Sequence, residues 1–213
     1  MTEIQPIDRT RVVRAPNRAV FNRQTVYAIL DDGLLCYLSF VADGSPHIIP
    51  TLHWREGDSL YIHGLTASRA IHSSSDGSEV CVMVSHLDGL VLARSAFHHS
   101  VNYRSVAIYG SPAIVADDRK EAALRAMVER ITPGRWAELR PVNDQELKAP
   151  TVLELPINEA SAKVRTSAPI DDPEDMDWPV WAGNVPFEMV RGVPVPDSAM
   201  DPAIKLPEYL RTR

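Results

Sequence analysis

Seven histidines are the first residues here that could do chemistry, and all of them (His47, His53, His63, His72, His86, His98, His99) fall between positions 47 and 99. Even scatter would put about two in that window. Imidazole titrates near neutrality, so such a window could serve proton transfer or metal ligation. The spacings do not match the close His-x-His, His-x₃₋₅-His or Cys-x₂-Cys patterns of zinc sites, and no metal site is expected. Adjacent His98 and His99 would point to opposite faces of an extended segment, so they would not readily share one metal.

Two segments combine polar groups in a way that could hold a ligand. In His63-Gly-Leu-Thr-Ala-Ser-Arg-Ala70 a strand ends and a short helix starts, with Thr66 placed to cap it. Backbone N–H groups there, the Ser68 hydroxyl and the Arg69 guanidinium would suit a phosphate monoester. The plainer reading is a surface helix start with an exposed Arg69. In Phe97-His-His-Ser-Val-Asn-Tyr-Arg-Ser-Val106 a run of polar groups sits between two apolar strands, where loops often carry binding groups. A solvated hairpin loop explains it equally well. Trp178 and Trp181 stand in an otherwise polar stretch and should dock on something, either their own domain or a pocket at a subunit boundary.

Several chemistries lack their signatures. No two glycines stand at Gly-x-Gly spacing, so a dinucleotide fingerprint is excluded, and there is no Walker loop, His-Glu-x-x-His or Gly-x-Ser-x-Gly. The net charge of −6 argues against a general nucleic-acid binder. The one basic cluster (Arg9, Arg11, Arg14, Arg18, Arg23) reads as a flexible or docking arm. No apolar run is long enough to span a membrane, and the N-terminus lacks a signal pattern. Cys36 and Cys81 read as reduced core residues, so a cytoplasmic protein is expected. With 213 residues, 45% of them hydrophobic, the chain can bury a core of its own.

The elements that must position these groups are mostly strands. Residues 18–31 have helical spacing. Runs at 34–42, 46–54 and 59–64 alternate with Asp43-Gly44 and Glu56-Gly57-Asp58 turns. Residues 79–87 and 90–97 read as a hairpin around Asp88-Gly89, and 103–115 as a strand bent at Gly110. A helix is expected over 118–131 behind an Asp117 cap, and a short one at Asn143-Asp-Gln-Glu146, which has capping-box spacing. Strands follow at 151–157 and 159–166. Many strands with short turns and few helices indicate a mainly β fold, an antiparallel barrel. The expected organisation is an N-terminal arm over 1–16, a core domain over 17–187 and an extended tail over 188–213.

Taken in order, these segments resemble the pyridoxamine 5′-phosphate oxidase-like flavoproteins, the FMN-binding split barrels, and within them the nitroimidazole-resistance-like branch. The resemblance rests on Val26–Leu30, Ile49-Pro-Thr51, Leu60–Gly64 with Ser68-Arg69, Asp88–Ser95, His99–Val106, Glu159–Arg165 and Trp181-Ala-Gly183. It implies a six-stranded Greek-key barrel that works as a homodimer with two FMN sites at its interface. It further implies that Ile49, Pro50 and Thr51 run beside the flavin ring and that His63, Ser68 and Arg69 meet the phosphate. Asn102, Tyr103, Arg104 and Ser105 would complete the contacts, and Trp181 would lie near the facing subunit's ring. The chain departs from the oxidase proper, with no lysine after Arg69-Ala70 and no C-terminal Arg-x-His. Pyridoxamine phosphate oxidation is therefore not expected. Related barrels hold deazaflavin or heme, and the histidine window keeps heme in play.

The implied function is an FMN-dependent oxidoreductase acting on a small organic substrate of nitro or pyridoxine type. The alternative is a flavin- or heme-binding carrier or sensor without turnover. His98 or His99 could donate a proton, but nothing in the sequence selects between them.

Overall fold

Residues 3–75 and 77–211 are described by the structure, a computed structural model. Strand alternation sets the core. β2 (Leu35–Ala42) buries Cys36, Leu38, Phe40 and Ala42 and leaves Leu35, Tyr37 and Val41 outside. The Asp43–Gly44 turn returns the chain as β3 (Ser45–Glu56), which sets Leu38 opposite Ile49 and Cys36 opposite Thr51. β4 (Ser59–Leu65) follows and runs into a short helix, α2 (Arg69–Ser75). The long strands β5 (Val80–Leu92) and β6 (Ser100–Gly110) pair over most of their length.

Two further strands, β8 (Pro150–Pro156) and β9 (Glu159–Arg165), close onto β4 and β6 respectively. Short pieces complete the sheet: β1 (Ala19–Val20), β7 (Ala113–Ile114) and β10 (Gly183–Pro186). Every pairing is antiparallel, and the order is β1-β9-β6-β5-β2-β3-β4-β8-β7, with β10 added to β5. The mainly β, antiparallel architecture is the one the sequence indicates. One core fills the space between α1 (Arg23–Asp32) and the sheet. A second, around Trp54, Tyr61 and Val152, lies under α3 (Asp117–Ile131).

Local signals resolve in instructive ways. Helix α1 begins only after Asn22, whose side chain accepts from the Thr25 N–H; the residues before it pair with β9 instead. At 143–146 the capping box forms in full and starts α4 (Asp144–Lys148). The hairpin expected at Asp88-Gly89 does not form. Those residues lie inside β5, at a register shift between Leu87 and Gly89. Here β10 crosses so closely that a Cβ on Gly89 would meet the Val185 carbonyl at 2.6 Å, and Asp88 is drawn to Arg104. Thr66 is not the cap of α2. It bonds Ala149 and Thr151, while the Ser68 hydroxyl accepts from the Ile71 N–H.

The N-terminal segment is docked. Ile4 is in the core, and Arg9 bridges Glu79 (2.8 Å) and Glu159. Residues beyond Phe187 are extended and largely exposed until Tyr209 hydrogen-bonds Glu138 at 2.6 Å. The ends of the expected arm and tail, residues 1–2 and 212–213, lie outside the described residues.

Candidate functional site

A cavity of about 250 Å³ opens where β2, β3 and β4 meet α2. Leu38, Ile62 and Ile71 give it apolar walls, and Ile49, Thr51, His63 and Ser68 contribute from β3, β4 and the turn before α2. Gly64 makes this possible: a Cβ there would lie 2.8 Å from Ile71, so only glycine lets α2 settle onto the strand. Four of the expected site residues are thereby brought together by consecutive elements of the chain.

His63 is the most chemically expressive group in the cavity. Its ring tilts against Trp54 at 6.2 Å, and its Nδ1 is buried with no hydrogen-bond partner. Burial lowers its pKa from the ordinary 6.5, which keeps the ring neutral at physiological pH. A neutral imidazole with an unspent buried nitrogen is a group awaiting a ligand's polar edge. Ser68 accepts from Ile71 N–H and keeps its own O–H to donate.

The remaining expected residues go elsewhere. Alternation puts Pro50 on the outer face of β3, opposite Tyr37, away from Ile49 and Thr51. Arg69 is the first residue of α2 and is exposed. Asn102, Tyr103, Arg104 and Ser105 lie on β6, three strands from β3, or about 14 Å across the sheet. Arg104 is fully engaged: it makes a two-pronged bond to Asp88 and a 2.8 Å bridge to Asp32, which hold its pKa above the ordinary value. Trp181 is exposed and folds back over Gly183.

The histidine window divides by role. His53 and His86 donate to the carbonyls of Leu30 (3.0 Å) and Ile29 (2.8 Å), so together with Arg130 they cap the C-terminal end of α1. His47 stacks on Phe40, and His98 meets Asp172 at 3.1 Å. Among the described residues every one of the seven histidines keeps at least one ring nitrogen without a protein partner, and in His53 and His63 that nitrogen is a buried Nδ1. His99 does so because only its Nδ1 is used, donating to the Ser95 carbonyl at 2.8 Å. No group of three or more His, Cys, Asp or Glu able to hold a metal is found among the described residues.

Sequence reasoning missed two arginine sites next to the loop after β5. Arg94 holds Asp171, whose side chain is almost wholly buried, through its backbone N–H (2.7 Å) and guanidinium (2.9 Å). Arg165 lies buried at the end of β9. A charged residue closing a strand ordinarily reads as solvent-facing, so nothing local marked either one.

Comparison with known proteins gives a consistent pattern. The sequence profile of the pyridoxamine 5′-phosphate oxidase family matches residues 22–164. The flavocytochrome Anf3 from Azotobacter vinelandii is 40% identical with a TM-score of 0.92, over 97% of this chain and 96% of that one. An FAD and heme binding protein from Mycobacterium smegmatis is 36% identical with a TM-score of 0.88, over 91% and 96%. A Bacteroides thetaiotaomicron protein named for 5-nitroimidazole antibiotic resistance shares the fold at 20% identity and a TM-score of 0.58, over 68% and 86%. No curated protein matches the chain.

Proposed function

Because the chain belongs to the pyridoxamine 5′-phosphate oxidase family, we propose that it is a flavin- and heme-binding redox protein acting on a small organic substrate. The single observation that carries this reading is likeness over nearly the full length, at 36–40% identity, to a flavocytochrome and to an FAD and heme binding protein. The broad family resemblance implies FMN. The Mycobacterium smegmatis protein favours FAD, and FAD is the form proposed here.

The residues present fit a flavin. Apolar walls suit a flat aromatic ring, and the buried His63 Nδ1, Thr51 and the Ser68 O–H can meet its polar atoms. A bound flavin supplies the electron chemistry. The protein's part would be to hold the ring with Ile49 and Thr51 of β3 and Ser68 before α2, to exclude water with Leu38, Ile62 and Ile71, and to keep His63 neutral and hydrogen-bond competent. A heme would need a side-chain ligand, and the histidines, each of which retains a ring nitrogen without a protein partner, would be its candidates.

At 250 Å³ the cavity is small and open on one side, so a second surface must complete it. A homodimer is proposed on separate grounds: on the outer face of the sheet, opposite the face that carries Ile49 and Thr51, Tyr37 on β2 has Pro50 and Met83 as cross-strand neighbours and Ile48 is 65% exposed.

The test is the absorption spectrum of the purified protein with identification of the extracted cofactors. Flavin bands and a Soret band that persist through gel filtration are expected, with FAD as the released flavin. Single alanine variants of the seven histidines then identify the heme ligand. A colourless protein that neither FAD nor heme stabilises would overturn the reading.

A further inference from the structure

Arg165 is 5% exposed, yet it holds no carboxylate. Its Nη1 donates to Asn102 Oδ1 at 2.5 Å and to the Ser167 carbonyl at 3.2 Å, and its Nε is buried without any partner. Both acceptors are neutral. Other shielded arginines are neutralised: Arg9 by Glu79 and Glu159, Arg55 by Asp31, Arg94 by Asp171 and Arg104 by Asp88. Arg130 sits instead on the carbonyl end of α1.

A second cation makes the situation worse. Arg18 ends the turn that leads into β1, one residue before the Ala19–Lys163 pairing, which brings it to the same end of β9. Burial depresses the Arg165 pKa, and repulsion from Arg18 depresses it further. Among the described residues Arg18 has no ion pair of its own. A buried cation without a counter-charge is among the most unfavourable arrangements in a protein interior, and a like-charged neighbour adds to it. Folded proteins tolerate such a pair where an anion completes it.

We propose that Arg165 and Arg18 form an anion site for a phosphate or carboxylate group, with Asn102 orienting the Arg165 guanidinium. The fork geometry of guanidinium matches both anions. The Asn102 Oδ1 is spent on Arg165, which leaves its amide N–H₂ free to donate to the same ligand. The site is separate from the cavity around His63: β9 is five strands from the strand of His63 in the sheet order, and three from β2, which gives the cavity its Leu38 wall. If the function proposed above holds, the anion is the pyrophosphate of FAD or a propionate of heme. That identification rests on the proposed function, whereas the anion site itself does not.

The experiment compares the full chain with Arg18→Ala, chosen because Arg18 is half-buried and its loss spares the core; Arg165→Gln is the second variant if it folds. The ligand-free proteins are melted in inorganic phosphate and in sodium chloride at equal ionic strength. Phosphate should stabilise the wild type beyond chloride. Arg18→Ala should lose at least half of that shift while melting no lower than wild type without anion, since repulsion is relieved. Affinities are then measured for FAD against riboflavin and for heme against heme dimethyl ester. A loss on the order of ten-fold for FAD with riboflavin unchanged assigns a phosphate. The same loss for heme, with the ester unchanged, assigns a carboxylate. Equal phosphate shifts in both proteins, with no change in any affinity, would overturn the site. If the wild type binds neither cofactor but Arg18→Ala still loses phosphate stabilisation, the anion site stands and the cofactor reading fails.

Discussion

His53 and His63 are both held below their ordinary pKa of 6.5, chiefly by burial. The unfolded chain therefore binds more protons than the folded one below pH 6.5, so stability rises with pH there. The contribution is complete above 6.5 and is lost as pH falls through the lowered folded values. Denaturant unfolding at pH 8 and pH 5.5 should show the loss, and His63→Gln should reduce the difference between the two. Also at this scale, His63→Leu removes the unspent nitrogen from the cavity while keeping its apolar walls. Flavin affinity should fall several-fold in fluorescence titration, with the melting temperature changed little. Unchanged affinity would remove His63 from the flavin contacts. Cys36, pushed up to about 12 by burial, should not react with thiol reagents until the protein unfolds.

Elements here are held in place by single contacts that can be removed. The segment after β9 is pinned by Asp171. Burial works to raise its pKa, but the Arg94 backbone and guanidinium bonds prevail and lower it. Asp171→Ala should free the stretch between β9 and β10, seen as faster limited proteolysis there with the β-rich circular dichroism retained. Gly89→Ala places a methyl group against the Val185 carbonyl, so β10 must shift or detach. A destabilisation of about 1–3 kcal/mol is expected, measured by denaturant unfolding. Asn143→Ala removes the side-chain oxygen that accepts from the Gln145 and Glu146 N–H groups at the start of α4, leaves the Asn143 N–H to Glu146 bond, and should cost about 1 kcal/mol.

For the whole molecule, the unexplained surface is the outer face of β2, β3 and β5, where Leu35, Tyr37, Val41, Ile48 and Met83 are all exposed. Scattered apolar residues are ordinary on a surface, but these stand on neighbouring strands in register. Ile48→Glu should convert a dimer to a monomer in sedimentation velocity. A wild-type protein that sediments as a monomer with cofactor bound would refute the dimer.

Alternation and turn chemistry in the sequence determined the mainly β fold, the β2–β3–β4 meander, the 143–146 capping box and the cluster of His63 with Ser68. Those signals are local: period-two burial, the Asp43–Gly44 turn and a cap three residues from its partner. The same signals failed at Asp88-Gly89, where a good turn pair was overruled by the approach of β10, nearly a hundred residues later in the chain. They failed also for Thr66, which finds Thr151 on a neighbouring strand. Only the tertiary structure decided that Arg104 is spent on Asp32 and Asp88 and that Arg165 is buried without a counter-charge. Each of these depends on which strand passes over which, and pairing between residues so far apart leaves no trace in a single sequence.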